Sequence, residues 1–199
     1  MNTKMLLRIA WASVLLGLVM EVLILSAALL LGSRPGVRAV LADTVQKVAW
    51  STIVCLGLGI GNAVAKNVPP VAGVFGLFAG PIGFVVAKAL HQGVSHALGI
   101  ALGGASHPSA AVLAVLKGLQ YGGLGHGLAW VGKHTGGRVI AYVGTGLAVG
   151  LLFGAITLFL MSPLATMALV VRGLNEILFP VGCSLVVYSA KALGTPAKA

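Results

Sequence analysis

Apolar residues run through this chain in blocks of about twenty, separated by short polar breaks. A hydrocarbon layer about 30 Å thick needs about 20 apolar residues per crossing helix. The pattern therefore predicts six spans, at roughly residues 9–31, 48–65, 71–90, 110–131, 139–161 and 164–192. The most polar break, Gly32–Lys47, holds Arg34, Pro35, Arg38, Asp43 and Gln46. Within it Val37–Val48 reads as a short interfacial helix. Lys66-Asn67 and the breaker Pro69-Pro70 close the second span.

Between Val71 and Ser106 there is too much chain for one crossing and too little for two. Val71–Leu90 fits a span with Pro81 inside it. Gln92–Ser106, bounded by His91 and His107, then reads as a short re-entrant or interfacial piece, as apolar segments of that length commonly are. Ser162-Pro163 reads as the N-cap and first residue of the last helix. The predicted fold is an all-α, polytopic transmembrane bundle of about six glycine-rich spans in one domain, residues 1–199.

Composition agrees with the pattern. Apolar residues make up 58% of the chain, charged residues 8%, and mean hydropathy is +1.05. So few charges cannot cover a water-exposed surface. Arg8 and Lys4 before an apolar run resemble a secretory leader, but the run from Ile9 to Leu31 is too long for one and Glu21 interrupts it. An uncleaved first helix is expected.

The formal charge is +10, from 13 Lys and Arg against 3 Asp and Glu. The basic residues stand singly between apolar segments, so contact with anionic lipid headgroups is expected and nucleic acid is not. Lys4, Arg8, Lys66, Lys133, Arg138, Lys191 and Lys198 fall on one side of a six-span chain, against Arg34, Arg38, Lys47 and Lys88 on the other. Positive-inside counting then puts both termini in the cytoplasm, in a bacterial-type inner membrane.

Glycine occurs 29 times. Gly146, Gly150 and Gly154 form a ridge at four-residue spacing in the fifth span, and Gly57/Gly61, Gly76/Gly80, Gly99/Gly103, Gly118/Gly122 and Gly123/Gly127 repeat the step. Such ridges let helix backbones approach closely, within one chain or between copies. Ala87-Lys88-Ala89-Leu90 and Ala190-Lys191-Ala192-Leu193 share a pattern, but their upstream prolines are out of register. An inverted repeat of the transporter kind is not supported.

Charges inside apolar spans are the candidate chemistry. In the last span Arg172, Asn175, Glu176, Phe179 and Cys183 share one helical face, and Arg172 and Glu176 are spaced to pair as i and i+4. Pro180 cannot donate to the Glu176 carbonyl, which frees an acceptor beside the carboxylate. Lys117, Gln120 and Tyr121 make a second polar stripe in the fourth span. Glu21 has no opposite charge one turn away, so Lys117 or Arg172 is its expected partner.

His126 sits within a span among Gly123, Gly125 and Gly127, a setting that offers room for an axially ligated haem or pigment. Cys55 and Cys183 read as buried small hydrophobes without disulfide or zinc spacing. No hydrolase, metalloprotease or nucleotide-binding motif occurs, and an enzyme is not expected. Three classes remain: a subunit of a larger membrane assembly, which the sequence favours narrowly; a small channel or carrier for an ion, proton or small solute; and a cofactor holder. Bound lipid and other subunits, or further copies of the chain, are the expected partners.

Overall fold

A computed structural model describes residues 3–65, 68–101 and 108–194. Lys66, Asn67, Gly103, His107, Lys198 and the 102–106 part of the predicted re-entrant piece lie outside those residues. The described chain is six helices: α1 (Thr3–Leu30), α2 (Val37–Val64), α3 (Pro69–Ala97), α4 (Ala110–His134), α5 (Val139–Leu160) and α6 (Thr166–Gly194). All but α4 are long and apolar enough to cross a membrane. In α4, Lys117, Gln120, His126 and Lys133 lower the mean hydropathy.

Three boundaries differ from the sequence expectation. Val37–Val48 is no separate interfacial helix: α2 runs unbroken from Val37, because nothing between Gln46 and Trp50 stops helical hydrogen bonding. Gln92–Ala97 are the last turns of α3, which continues past His91 until Gly99 turns the chain at φ 68°. Ser162 and Pro163 lie in the connection before α6 and do not cap it. By contrast Pro69-Pro70 occupy the first turn of α3, where a missing N–H costs no intrahelical bond. Ser109 caps α4, its side chain accepting from the Val112 N–H at 3.4 Å.

The helices form three hairpins, α1–α2, α3–α4 and α5–α6. Each hairpin is antiparallel: Gly73, Gly76 and Gly80 of α3 meet Gly122, Tyr121 and Lys117 of α4 in reverse order. Among the described residues α2, α4 and α6 all touch one another, while α1 bridges α2 and α6, α3 bridges α2 and α4, and α5 bridges α4 and α6. The even helices are thus an inner triangle and the odd helices an outer one.

The inner helices run in the same direction. Lys117 meets Glu176 and the Gly132 carbonyl accepts from Lys191, the same 59-residue separation twice. Trp50 stacks edge-on against Tyr121 at 5.4 Å, and Leu58 faces Gly125. This topological repeat has its axis along the helices. It also puts the start of α1 and the end of α6 at one end of the bundle, where Met5 and Lys191 line a common cavity.

Packing follows the small residues. The outward faces carry Leu15, Val22, Phe78, Leu119, Leu152 and Phe159, all exposed, as hydrocarbon contact requires. Inward faces carry Gly, Ala and Ser where helices touch most closely, and Leu, Val and aromatic side chains fill the centre. The Gly146, Gly150 and Gly154 ridge lies on α6, against Val181, Ile177 and Glu176. Gly17 lies on Val48 and Ser51, and the Ser51 hydroxyl donates to the Ser13 carbonyl at 2.7 Å.

At the centre the free thiols of Cys55 and Cys183 are 3.2 Å apart, fully buried, joining α2 to α6. The sequence reading of two inert cysteines omits this proximity. Membrane-permeant iodine should therefore form an intramolecular disulfide, seen as faster migration on non-reducing gels and lost in Cys55→Ser or Cys183→Ser. Thiols that both remain open to alkylation after such treatment and denaturation would separate α2 from α6.

Candidate functional site

Because the inner helices are parallel and in register, their side chains stack in layers. One layer is polar: Lys47 on α2, Lys117 on α4, and Asn175 and Glu176 on α6. It lies about 10–15 Å inside the helix ends at 1.5 Å per residue. Lys117 Nζ donates to Glu176 Oε2 and, at 2.9 Å, to Gln120 Oε1. Both ion-pair side chains are about nine-tenths buried. Lys117 also stands 5.9 Å over the Trp50 ring. Glycine makes the pair possible, since Gly80 lies on the Lys117 backbone and Gly154 on the Glu176 Cβ.

A second pair joins α1 to the same layer. Lys47 Nζ donates to Glu21 Oε2 at 2.5 Å, with both side chains largely buried. These partners correct two sequence expectations. Glu21 pairs with neither Lys117 nor Arg172, because α2 lies between α1 and α4 and presents Lys47 first. Arg172 does not pair with Glu176. The carboxylate turns inward to Lys117, while the guanidinium turns toward the α5 end and donates to Met161 Sδ at 3.1 Å.

The layer borders a cavity of about 350 Å³, and all six helices contribute to its wall. Its polar lining is Asp43, Gln46, Lys47, Lys117, Thr157, Arg172, Asn175 and Glu176. Its apolar lining includes Ile24, Trp50, Phe84, Tyr121 and Phe179. Leu113 in the first turn of α4 and Met161 at the end of α5 set its outer rim. Asp43, nearer this rim, has Oδ1 3.1 Å from His91 Nε2. Two buried polar atoms lack a hydrogen-bond partner here, Gln120 Nε2 and Asn175 Oδ1. A buried unsatisfied amide costs about 1–3 kcal/mol unless water or a ligand meets it.

Trp50, Tyr121 and Phe179 form the floor. Below them Val54, Cys55, Leu58, Leu124, Leu128, Cys183 and Val187 pack without exposure beyond a few per cent. Floor and plug together span about 10–12 Å of helix rise. On its far side a second cavity of about 470 Å³ is lined by Ile9, Asn62, Gly132, Lys133, Tyr142 and Lys191 among others. Two cavities at opposite ends with a packed layer between them is the geometry of the inner triangle.

Sequence reasoning singled out Glu21, Lys117, Gln120, Arg172, Asn175 and Glu176 as candidates, and the structure places all six around this one layer. It missed Lys47, which lies in the polar break read as a short interfacial helix, and the aromatic floor, which looks like ordinary apolar sequence. The Asp43–His91 contact was also missed. His126 stands apart. It is exposed on the outer face of α4 beside Gly73 and lines neither cavity. The chain matches no protein family, no curated protein and no solved structure.

Proposed function

We propose that the protein is a small-solute carrier of the membrane, with the polar cavity as its binding site. One observation carries this reading: a cavity ringed by all six helices, with the buried Lys117–Glu176 pair in its wall. Ion pairs that only hold helices together gain nothing from an open cavity beside them. Pairs that exchange partners with a solute or a proton need one. The plug closes the site toward the second cavity, and sliding of the parallel inner helices would open it.

The end of the bundle holding Lys4, Arg8, Lys133, Arg138 and Lys191 is assigned to the cytoplasm of a bacterial-type inner membrane. The cavity then faces the opposite side. Anionic lipids are the expected neighbours of those basic side chains.

Reconstitution tests this reading. Liposomes containing the protein should take up a small solute by counterflow, and Ala87→Trp should cut uptake at least tenfold. Ala87 lines the cavity and carries none of its charges, so the larger side chain fills the site. Equal uptake by this variant, with an unchanged melting temperature, refutes the site.

A second reading, a subunit of a larger membrane assembly, draws on His126, an imidazole on the outer face near the middle of α4. A polar side chain facing hydrocarbon gains from a protein partner. Obligate co-purification with another membrane protein in mild detergent, lost in His126→Leu, supports it. A monodisperse single chain with intact flux removes it.

A further inference from the structure

Resting on the carrier reading, we propose that the cavity takes an amphipathic monoanion, a carboxylate on an apolar body about the size of one aromatic ring. The cations of the cavity decide the sign. Lys47 is neutralised by Glu21 and Lys117 by Glu176. Asp43 turns its oxygen to His91. Arg172 is different: its hydrogen bond goes to Met161 Sδ, a neutral and weak acceptor. A guanidinium held against a thioether gains when a carboxylate replaces the sulfur, since charge-assisted bonds are about twice as strong as neutral ones. A cationic solute gains less, because of the two carboxylates in the wall Glu176 is already occupied by Lys117 and Asp43 faces His91 near the outer rim.

One unpaired amide of the cavity wall, that of Asn175, can serve the same headgroup. Asn175 lies three residues from Arg172 on the same face of α6, with its Oδ1 buried and unpartnered. Turning that amide by 180° presents its N–H₂ to the cavity instead. Arg172 and Asn175 then offer a guanidinium and an amide from one face of α6 to a single carboxylate.

The other wall sets the body. Ile24, Trp50, Phe84, Tyr121 and Phe179 are apolar or aromatic, and the volume of about 350 Å³ is at the small end of ligand sites. Poly-hydroxylated solutes would leave their hydroxyls unpaired there. Because every helix contributes to the wall, the solute comes from water along the bundle axis and not from the lipid side.

The test uses the full chain in lipid nanodiscs and three ring compounds of nearly equal size: benzoate, benzamide and benzylammonium. Binding is measured by equilibrium dialysis of the labelled compounds, for the native chain, Arg172→Gln and Ala87→Trp. Benzoate should bind at least tenfold more tightly than either analogue. Arg172→Gln should weaken benzoate about tenfold or more and leave benzamide unchanged. Arg172 is exposed and outside both buried ion pairs, so this variant keeps the fold, which an unchanged melting temperature verifies. Preference for benzylammonium or benzamide, or benzoate binding untouched in Arg172→Gln, overturns the anion assignment and leaves the carrier standing. Absence of binding by all three, or binding that Ala87→Trp does not reduce, removes the cavity as a solute site and the anion with it.

Discussion

Glu176→Gln is expected to destabilise the bundle by about 3–5 kcal/mol, the usual cost of leaving one partner of a buried ion pair alone. Lys117 would keep Gln120 Oε1 as its hydrogen-bond acceptor but lose its counter-charge about nine-tenths out of water. Lys117→Met alone should cost a similar amount, with Glu176 stranded. The double replacement Lys117→Met with Glu176→Leu should cost far less than the sum, because an apolar pair of similar volume carries no desolvation penalty. Thermal unfolding in detergent, run on the four proteins as a cycle, measures the coupling. Additive losses would mean that the two side chains do not meet. The cycle also separates fold from function: a stable double variant without uptake places the charges in transport, whereas one with full uptake makes them structural.

Gly76→Leu should abolish folding, and Gly76→Ala should already cost at least a few kcal/mol. A Cβ at Gly76 would fall on the carbonyl of Tyr121, and one at Gly80 on the carbonyl of Lys117. Those are backbone atoms of a neighbouring helix, so no rotamer change relieves the clash. α3 and α4 would have to separate, taking Lys117 out of line with Glu176. Gly123, in the same helix as Lys117, is the internal control. Nothing lies within 4 Å of the position its Cβ would take, so Gly123→Ala should be neutral or stabilise by up to about 1 kcal/mol through helix propensity. Melting temperatures of the three alanine variants Gly76, Gly80 and Gly123 in one detergent decide the matter. Equal effects at all three would refute the α3–α4 packing.

Both predictions depend on which faces point inward, and there the sequence was only partly legible. In a soluble helix a polar face and an apolar face announce the core. Here the helices are apolar all round, so that periodicity is nearly silent. What remained visible was the placement of small residues. Gly146, Gly150 and Gly154 marked a packing ridge, and it lies on α6. Gly123 and Gly127 have the same four-residue step, yet Gly123 faces open space. Spacing alone could not separate the two cases.

The candidate site shows the same division. Glu21, Lys117, Arg172 and Glu176 stood out because an ionisable group in an apolar run is costly and must be answered. Their partners did not follow from spacing. Arg172 and Glu176 are four residues apart on one helix, the favoured distance for a pair, but each turns to another helix. The tertiary neighbours are closer to the buried carboxylate than the exposed guanidinium is. Lys47 was hidden because α2 begins ten residues before it, in a stretch polar enough to look like a separate interfacial helix outside the spans.

Sequence by itself determined that this is a bundle of long apolar helices, roughly where each lies, and which side chains are too polar to be left alone in it. Length and hydropathy suffice for that, since each helix satisfies its own backbone hydrogen bonds whatever surrounds it. Only the tertiary structure decided that α2, α4 and α6 run parallel at the centre, that Lys47 answers Glu21 and Lys117 answers Glu176, and that a cavity opens beside them. Those outcomes depend on relative rotation and register between helices, which glycine contacts of a few ångströms fix and no single helix encodes.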